Sequence, residues 1–82
     1  MSSPGVRLLL FASAREAAGT RQVDLTGDTV ADVLGQARAR FGEGFAAVLD
    51  SSRVWVNGDE AEVDRRLEPG DEVAVLPPVS GG

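Results

Sequence analysis

The chain holds one long amphipathic period, and that period limits what the rest can form. Val30, Val33, Leu34, Ala37 and Phe41 recur at i, i+3, i+4, i+7 and i+11, a single apolar stripe on a helix of about three turns. Asp32, Gln36, Arg38 and Arg40 fall on its other faces. Thr29 suits the N-cap, with Asp32 three residues on as a short capping box, and Gly42 suits the stop. Gly35 within the stretch costs about 1 kcal/mol relative to Ala, which close approach to a sheet would justify. A lone stripe needs one apolar surface to cover it, and one face of a small sheet supplies that surface.

The flanking segments read as the strands of such a sheet. Residues 6–11 (VRLLLF) are a short apolar run rich in strand formers, and residues 21–25 (RQVDL) alternate polar with apolar. Between them, Ala14 to Ala18 reads as about one helical turn ended by Gly19, and Phe45 to Leu49 as about another after the main helix. Val54 to Val56 forms a strand entering Asn57-Gly58, a strong hairpin signal, with Ala61 and Val63 on the return arm. Glu68 to Asp71 places Pro69 and Gly70 at the centre of a type II turn. Glu72 to Leu76 is the last strand, stopped by Pro77-Pro78. Two strands, a helix, then two or three strands make an α+β grasp of four to five strands on one main helix. The pattern does not give the strand order.

Composition narrows the chemistry. The 82 residues, 43% hydrophobic and 26% charged, suit one globular domain, here residues 1–78 with a tail over 79–82. There is no His, Cys, Tyr or Lys, and all eight basic residues are Arg. That removes the usual neutral-pH base, the thiol and amine nucleophiles, and the imidazole and thiolate ligands of zinc. A Ser with a carboxylate partner is left, but no spacing arranges one, so the chain is not expected to catalyse alone or to hold a metal. Residues 1–41 carry five Arg against four acids, and residues 42–82 carry three Arg against nine, for a net charge of −5. Nucleic acid needs a basic footprint and is not an expected partner. The acidic half fits solvated turns as well as a face steered toward a basic protein. No apolar run approaches the roughly 18 residues that span a bilayer, and residues 1–5 lack a basic leader. No membrane is expected, and the cytoplasm is the simplest location.

Beyond Pro77-Pro78, residues 79–82 (VSGG) belong to no packed element. The two prolines favour a stiff, extended exit, and four further residues reach at most about 13–14 Å. Gly81 and Gly82 lack side chains that would obstruct a narrow channel. Alone, the Gly-Gly end reads more readily as a frayed terminus than as a functional one.

Residues 67–82 (LEPGDEVAVLPPVSGG) closely resemble the C-terminus of the molybdopterin synthase small subunit, the MoaD type of the MoaD/ThiS sulfur carriers. Leu10 to Ala12, Arg15-Glu16, Ala18-Gly19, Thr29 to Asp32 and Val56 to Gly58 match as well, so the resemblance runs from Val6 onward. It implies a ubiquitin-like β-grasp fold and a cycle run by partner proteins. An E1-like enzyme (MoeB type) would consume ATP to adenylate the Gly82 carboxylate, and a sulfur donor protein would convert the adenylate to a thiocarboxylate. The tail, Val79, Ser80 and Gly81, would then thread into the large (MoaE-type) subunit. There, two carriers would supply the dithiolene sulfurs to cyclic pyranopterin monophosphate. No cofactor is expected on the carrier itself. Thiamine thiazole synthesis, tRNA thiolation and protein modification are the alternatives, although Phe11-Ala12 and the Pro77-to-Ser80 run look more like the molybdopterin branch.

Period 2 also divides the strands. If Leu8, Leu10, Val54, Val56, Val73 and Val75 face the helix, then Leu9, Phe11, Trp55, Ala74 and Leu76 face away. Loops or the segment near Phe45–Leu49 would cover that second face, or else it is an interface. Leu76, Phe11, Leu9, Trp55, Pro77 and Pro78 are the expected partner contacts.

Overall fold

The long helix is held at its start by bonds near and far in sequence. In the computed structural model, which describes residues 3–78, it spans Val30–Phe41. The capping box is present: Thr29 Oγ1 accepts from the Asp32 amide at 3.3 Å, and Asp32 Oδ2 accepts from the Thr29 amide at 3.2 Å. The next two amides donate to a distant loop, Val30 to the Arg65 carbonyl at 3.0 Å and Ala31 to the Val63 carbonyl at 2.8 Å. Four donors that a helix start leaves free are thereby partly satisfied within the fold.

In chain order the elements are β1 (Gly5–Leu10), α1 (Ala12–Ala18), β2 (Gln22–Thr26), α2 (Val30–Phe41), α3 (Glu43–Asp50), β3 (Arg53–Val56), β4 (Asp59–Glu60) and β5 (Glu72–Leu76). The sheet order is β2-β1-β5-β3-β4. The first and last strands lie side by side and parallel, Arg7 opposite Glu72 through Leu10 opposite Val75. Every other pairing is antiparallel.

Three expectations are corrected. The segment after the main helix is a full two-turn helix, α3, whose Phe45 and Leu49 are buried in the core. The hairpin return arm is Asp59–Glu60, with the Ala61 amide extending the ladder to the Val54 carbonyl at 2.9 Å, and it does not reach Val63. Val63 alternates like a strand residue, but its carbonyl caps α2 and its side chain stays 59% exposed. Gly35 does not approach the sheet: a Cβ there would meet nothing within 4 Å. The close approach is at Gly27, where a Cβ would lie 2.8 Å from Val33 Cγ2 and 3.1 Å from the Val33 amide nitrogen. Residues 79–82, and with them the expected tail, lie outside the described residues.

All three helices share one side of the sheet. Leu8, Leu10, Val56, Val73 and Val75 are buried against Val30, Val33, Leu34, Ala37, Phe45 and Leu49, and Ala14 of α1 joins them. Val54 is partly buried at the margin of the same cluster. Arg38 ties α2 to α3 by a 2.7 Å bond to Asp50. At the far end of β5, Gly70 takes the positive φ of +87° that the type II turn requires. Asp71 clamps that turn to the hairpin, accepting from the Glu68 amide at 2.8 Å and from Asn57 Nδ2 at 2.9 Å. The Glu68 amide, then the Asn57 amide group, hold the Asp71 carboxyl below its ordinary value of 3.8. The Arg65 charge helps, and slight burial opposes.

Two stability predictions follow from this geometry. Gly35→Ala should stabilise the fold by about 0.5–1 kcal/mol in urea unfolding, because the site is open and helical. Asp71→Ala should cost about 1 kcal/mol at neutral pH, as loss of a turn-capping carboxylate does. Because the folded carboxyl titrates below the unfolded one, that difference should be fully present above the ordinary carboxylate value. It should shrink as pH falls below that value, through the lowered one.

Candidate functional site: the open face of the sheet

With every helix on one side, the other side of the sheet has no element over it among the described residues. The register sets a row across its three central strands: Leu9 of β1 pairs with Ala74 of β5, which pairs with Trp55 of β3. Paired residues project to the same side, and their neighbours Leu8, Leu10, Val56, Val73 and Val75 are the buried ones. Leu9, Trp55, Ala74 and Leu76 are each partly exposed. Small Ala74 leaves a dip between the larger Leu9 and Trp55. The division of the strands expected from their alternation is the one observed, and α3 lies on the opposite side from this row.

Leu76 pairs with Arg53 and closes β5 one residue beyond the Leu10–Val75 pair. That places it near Phe11, which follows β1 and is 43% exposed. Pro77 is partly buried and Pro78 exposed. Leu9, Trp55, Leu76, Phe11 and the two prolines thus gather on one face and at the end of it from which the chain leaves the sheet. Ala12, just after Phe11, has a φ of +51°, a conformation a non-glycine residue seldom adopts, at the turn that sets Phe11 outward. Val79, Ser80, Gly81 and Gly82 lie outside the described residues.

The sequence reading missed the charged border of this face. Arg7 lies between Asp24 at 3.8 Å and Glu72 at 3.9 Å, and Arg53 Nη1 meets Glu60 Oε2 at 2.9 Å. The signal was available, since Arg7 is two residues from Leu9 and Arg53 two from Trp55. These exposed pairs add little stability, about 0–1 kcal/mol each. Their effect is to keep the apolar row narrow and the sheet surface hydrated around it. Among the described residues there is no group of three or more His, Cys, Asp or Glu side chains placed to hold a metal ion.

A mixed five-stranded sheet with its first and last strands parallel at the centre, wrapped on one side around a principal helix, defines a ubiquitin-like β-grasp protein. The sequence model of the ThiS family matches residues 8–82, and the chain belongs to that family. It is 34% identical over 80 residues to the molybdopterin synthase sulfur carrier subunit of Escherichia coli (strain K12), covering 94% of this chain and 99% of that protein. It is 39% identical over 85 residues to small archaeal modifier protein 1 of Haloferax volcanii, covering 89% and 95%. The solution structure of small archaeal modifier protein 1 from Methanosarcina acetivorans superposes with a TM-score of 0.87 at 31% identity, covering 96% of this chain and 97% of that one. The protein is therefore a ubiquitin-like protein of the sulfur-carrier and small-modifier kind.

The two sides of β1 should respond differently to substitution. Leu8→Ala should cost about 2–5 kcal/mol, as expected for a fully buried leucine. Leu9→Gln, one residue away on the open face, should cost about 1 kcal/mol or less. Equal losses in denaturant unfolding would mean that the open face is part of the folding core.

Proposed function

We propose that the chain is the sulfur-carrying small subunit of a molybdopterin synthase. The observation that carries this reading is its end-to-end likeness to sulfur carrier subunits of that enzyme, at 34% identity over 94% of the chain and 99% of the relative. The placement of Leu9, Trp55, Leu76 and Phe11 supports it, since the open face ends where the chain departs toward residues 79–82. Gly82 is the reactive residue in this reading, and Val79, Ser80 and Gly81 thread it into the partner.

The chemistry needs no side chain from the carrier. The Gly82 carboxylate oxygen attacks the α-phosphorus of ATP on an E1-like enzyme, pyrophosphate leaves, and an acyl-adenylate forms. A nucleophilic sulfur from a donor protein then attacks the acyl carbon and AMP departs. Where that sulfur is the outer atom of a donor persulfide, a thiol of the donor protein then attacks the inner sulfur of the acyl disulfide, closing a disulfide and expelling the terminal thiocarboxylate. The large subunit brings the bases and the oxyanion stabilisers with which the thiocarboxylate gives up its sulfur to the pterin precursor. The sulfur first bonds to the precursor as a thioester; water then adds to its acyl carbon, the carbon–sulfur bond breaks, and the sulfur stays on the precursor while the Gly82 carboxylate returns. Among the described residues no helix is long and apolar enough to cross a membrane, and the cytoplasm, where ATP is available, is the proposed location.

The comparison with small archaeal modifier protein 1 favours a second reading, attachment of Gly82 to lysines of other proteins. The absence of lysine limits it: the chain offers no ε-amine on which copies could polymerise.

Intact-mass measurement of the chain from cells with an active sulfuration system tests the carrier role. Sulfur in place of one oxygen, localised to the C-terminal peptide, is the expected result. A free carboxylate throughout, accompanied by high-mass conjugates of a tagged chain, would favour the modifier reading. Leu76→Glu should leave the domain folded and weaken capture of the large subunit by about tenfold or more, as burial of an unpaired charge at an interface does. Unchanged capture would remove Leu76 from the contact.

A further inference from the structure

Asn57 and Gly58 make the turn between β3 and β4, and both take positive φ, +50° and +90°. Both are exposed, and a Cβ placed on Gly58 would meet nothing within 4 Å. Asparagine followed by glycine is the pairing most prone to lose its side-chain amide. Glycine has no side chain to shield its nitrogen as that nitrogen closes on the asparagine carboxamide. Asn57 is the chain's one asparagine, and no aspartate precedes a glycine. The reaction therefore has a single favoured position in this sequence.

The fold restrains that position. Asn57 Nδ2 donates to Asp71 Oδ1 at 2.9 Å, and Asn57 Oδ1 accepts from the Glu72 amide at 3.0 Å. The Asn57 backbone amide donates to the Glu72 carbonyl at 2.9 Å. The carboxamide is thus turned toward β5 and pinned through both of its polar atoms. Attack requires it to swing to the Gly58 nitrogen and requires Nδ2 to depart. The Asp71 carboxylate opposes both by holding Nδ2 in a charge-assisted bond, and is itself fixed by the Glu68 amide at 2.8 Å.

We propose that Asn57 is a deamidation site held in check by Asp71, and that its products release the clamp between the hairpin and the Glu68–Asp71 turn. The Gly58 nitrogen bonds to Asn57 Cγ and gives its proton to solvent. The Cγ–Nδ2 bond breaks, and ammonia leaves a cyclic imide. Water then opens the ring. Cleavage at Cγ yields aspartate at position 57, and cleavage at the main-chain carbonyl yields isoaspartate. Neither product has a donor to offer Asp71. Aspartate sets a second carboxylate against the first, and the two repel. Isoaspartate lengthens the main chain within a two-residue turn, against the register of the Val56–Asp59 pair. Trp55 of the open face is two residues from the change. The inference does not depend on the sulfur-carrier reading.

The test is ageing of the purified full chain at mildly alkaline pH beside a synthetic peptide of residues 54–65. Trypsin releases the same fragment after Arg53 and Arg65, and it contains Asn57 and no glutamine. Mass spectrometry of the fragment reads amide loss, and an isoaspartyl methyltransferase labels the isoaspartate. The chain should convert about tenfold more slowly than the peptide, and Asp71→Ala should speed the chain about tenfold, the scale of one hydrogen bond to a charged group. Arg38→Ala, which removes the exposed tie between α2 and α3, should leave the rate unchanged. Asn57→Asp should be less stable than the parent in urea at neutral pH. The facing carboxyls hold a proton more tightly when folded, so that loss should shrink as pH falls. No conversion in chain or peptide, equal rates in the two, no acceleration in Asp71→Ala, equal acceleration in Arg38→Ala, or an Asn57→Asp chain as stable as the parent would each overturn the proposal.

Discussion

The pairing of β1 with β5 is the contact on which the other arrangements depend. It joins residues 7–10 to residues 72–75, nearly the whole length of the chain apart, and does so in parallel at the centre of the sheet. Such a contact closes a long loop at an entropic cost that only burial can offset. Val73 and Val75 supply it on one strand and Leu8 and Leu10 on the other, all four fully or almost fully buried. The same pairing brings the end of β5 to the middle of the sheet, beside Leu10 and Phe11, instead of to an edge. The described chain therefore ends, at Pro78, by the middle of the sheet and next to the open face.

Burying one side so fully has a consequence for the other. An 82-residue domain has enough helix to cover one face of five strands, and α1, α2 and α3 all do so. The remaining face is formed from the same short strands, whose alternation places Leu9, Trp55, Ala74 and Leu76 there whatever their use. What differs from an unprotected apolar sheet is the placement of Arg7, Arg53 and their carboxylate partners around the row. Charged borders of this kind discourage non-specific association while leaving the centre of the patch dry enough to be covered by a partner.

Much of this was legible in the sequence wherever the governing interaction is local. The α2 stripe, its Thr29–Asp32 capping box, the turn at Pro69-Gly70 and the two faces of each central strand are set by neighbours within a few residues. Features set from afar were not legible. Val63 has the alternation of a strand residue, yet its carbonyl is taken by the start of α2, and no local pattern announces that. Gly27 looks like any loop glycine until Val33 is packed against it. The extent of α3 was understated because Gly42 and Gly44 at its start mask a segment held by tertiary burial of Phe45 and Leu49. For the site, the strand faces could be read and the strand order could not, so the row was predicted as a set without its geometry.

The strength expected of the open face follows from what composes it. Its apolar centre is a few partly buried side chains, and its border consists of exposed ion pairs that contribute little apiece. A partner covering it gains the burial of Leu9, Trp55, Leu76 and Phe11, an area too small for a permanent, core-like interface. In the proposed cycle, that limit matters: one surface serves an activating enzyme and then a synthase, and a carrier bound tightly to either would stall there. In that cycle, selectivity between the partners would rest on contacts beyond the shared row, and the proposed threading of residues 79–82 would supply them.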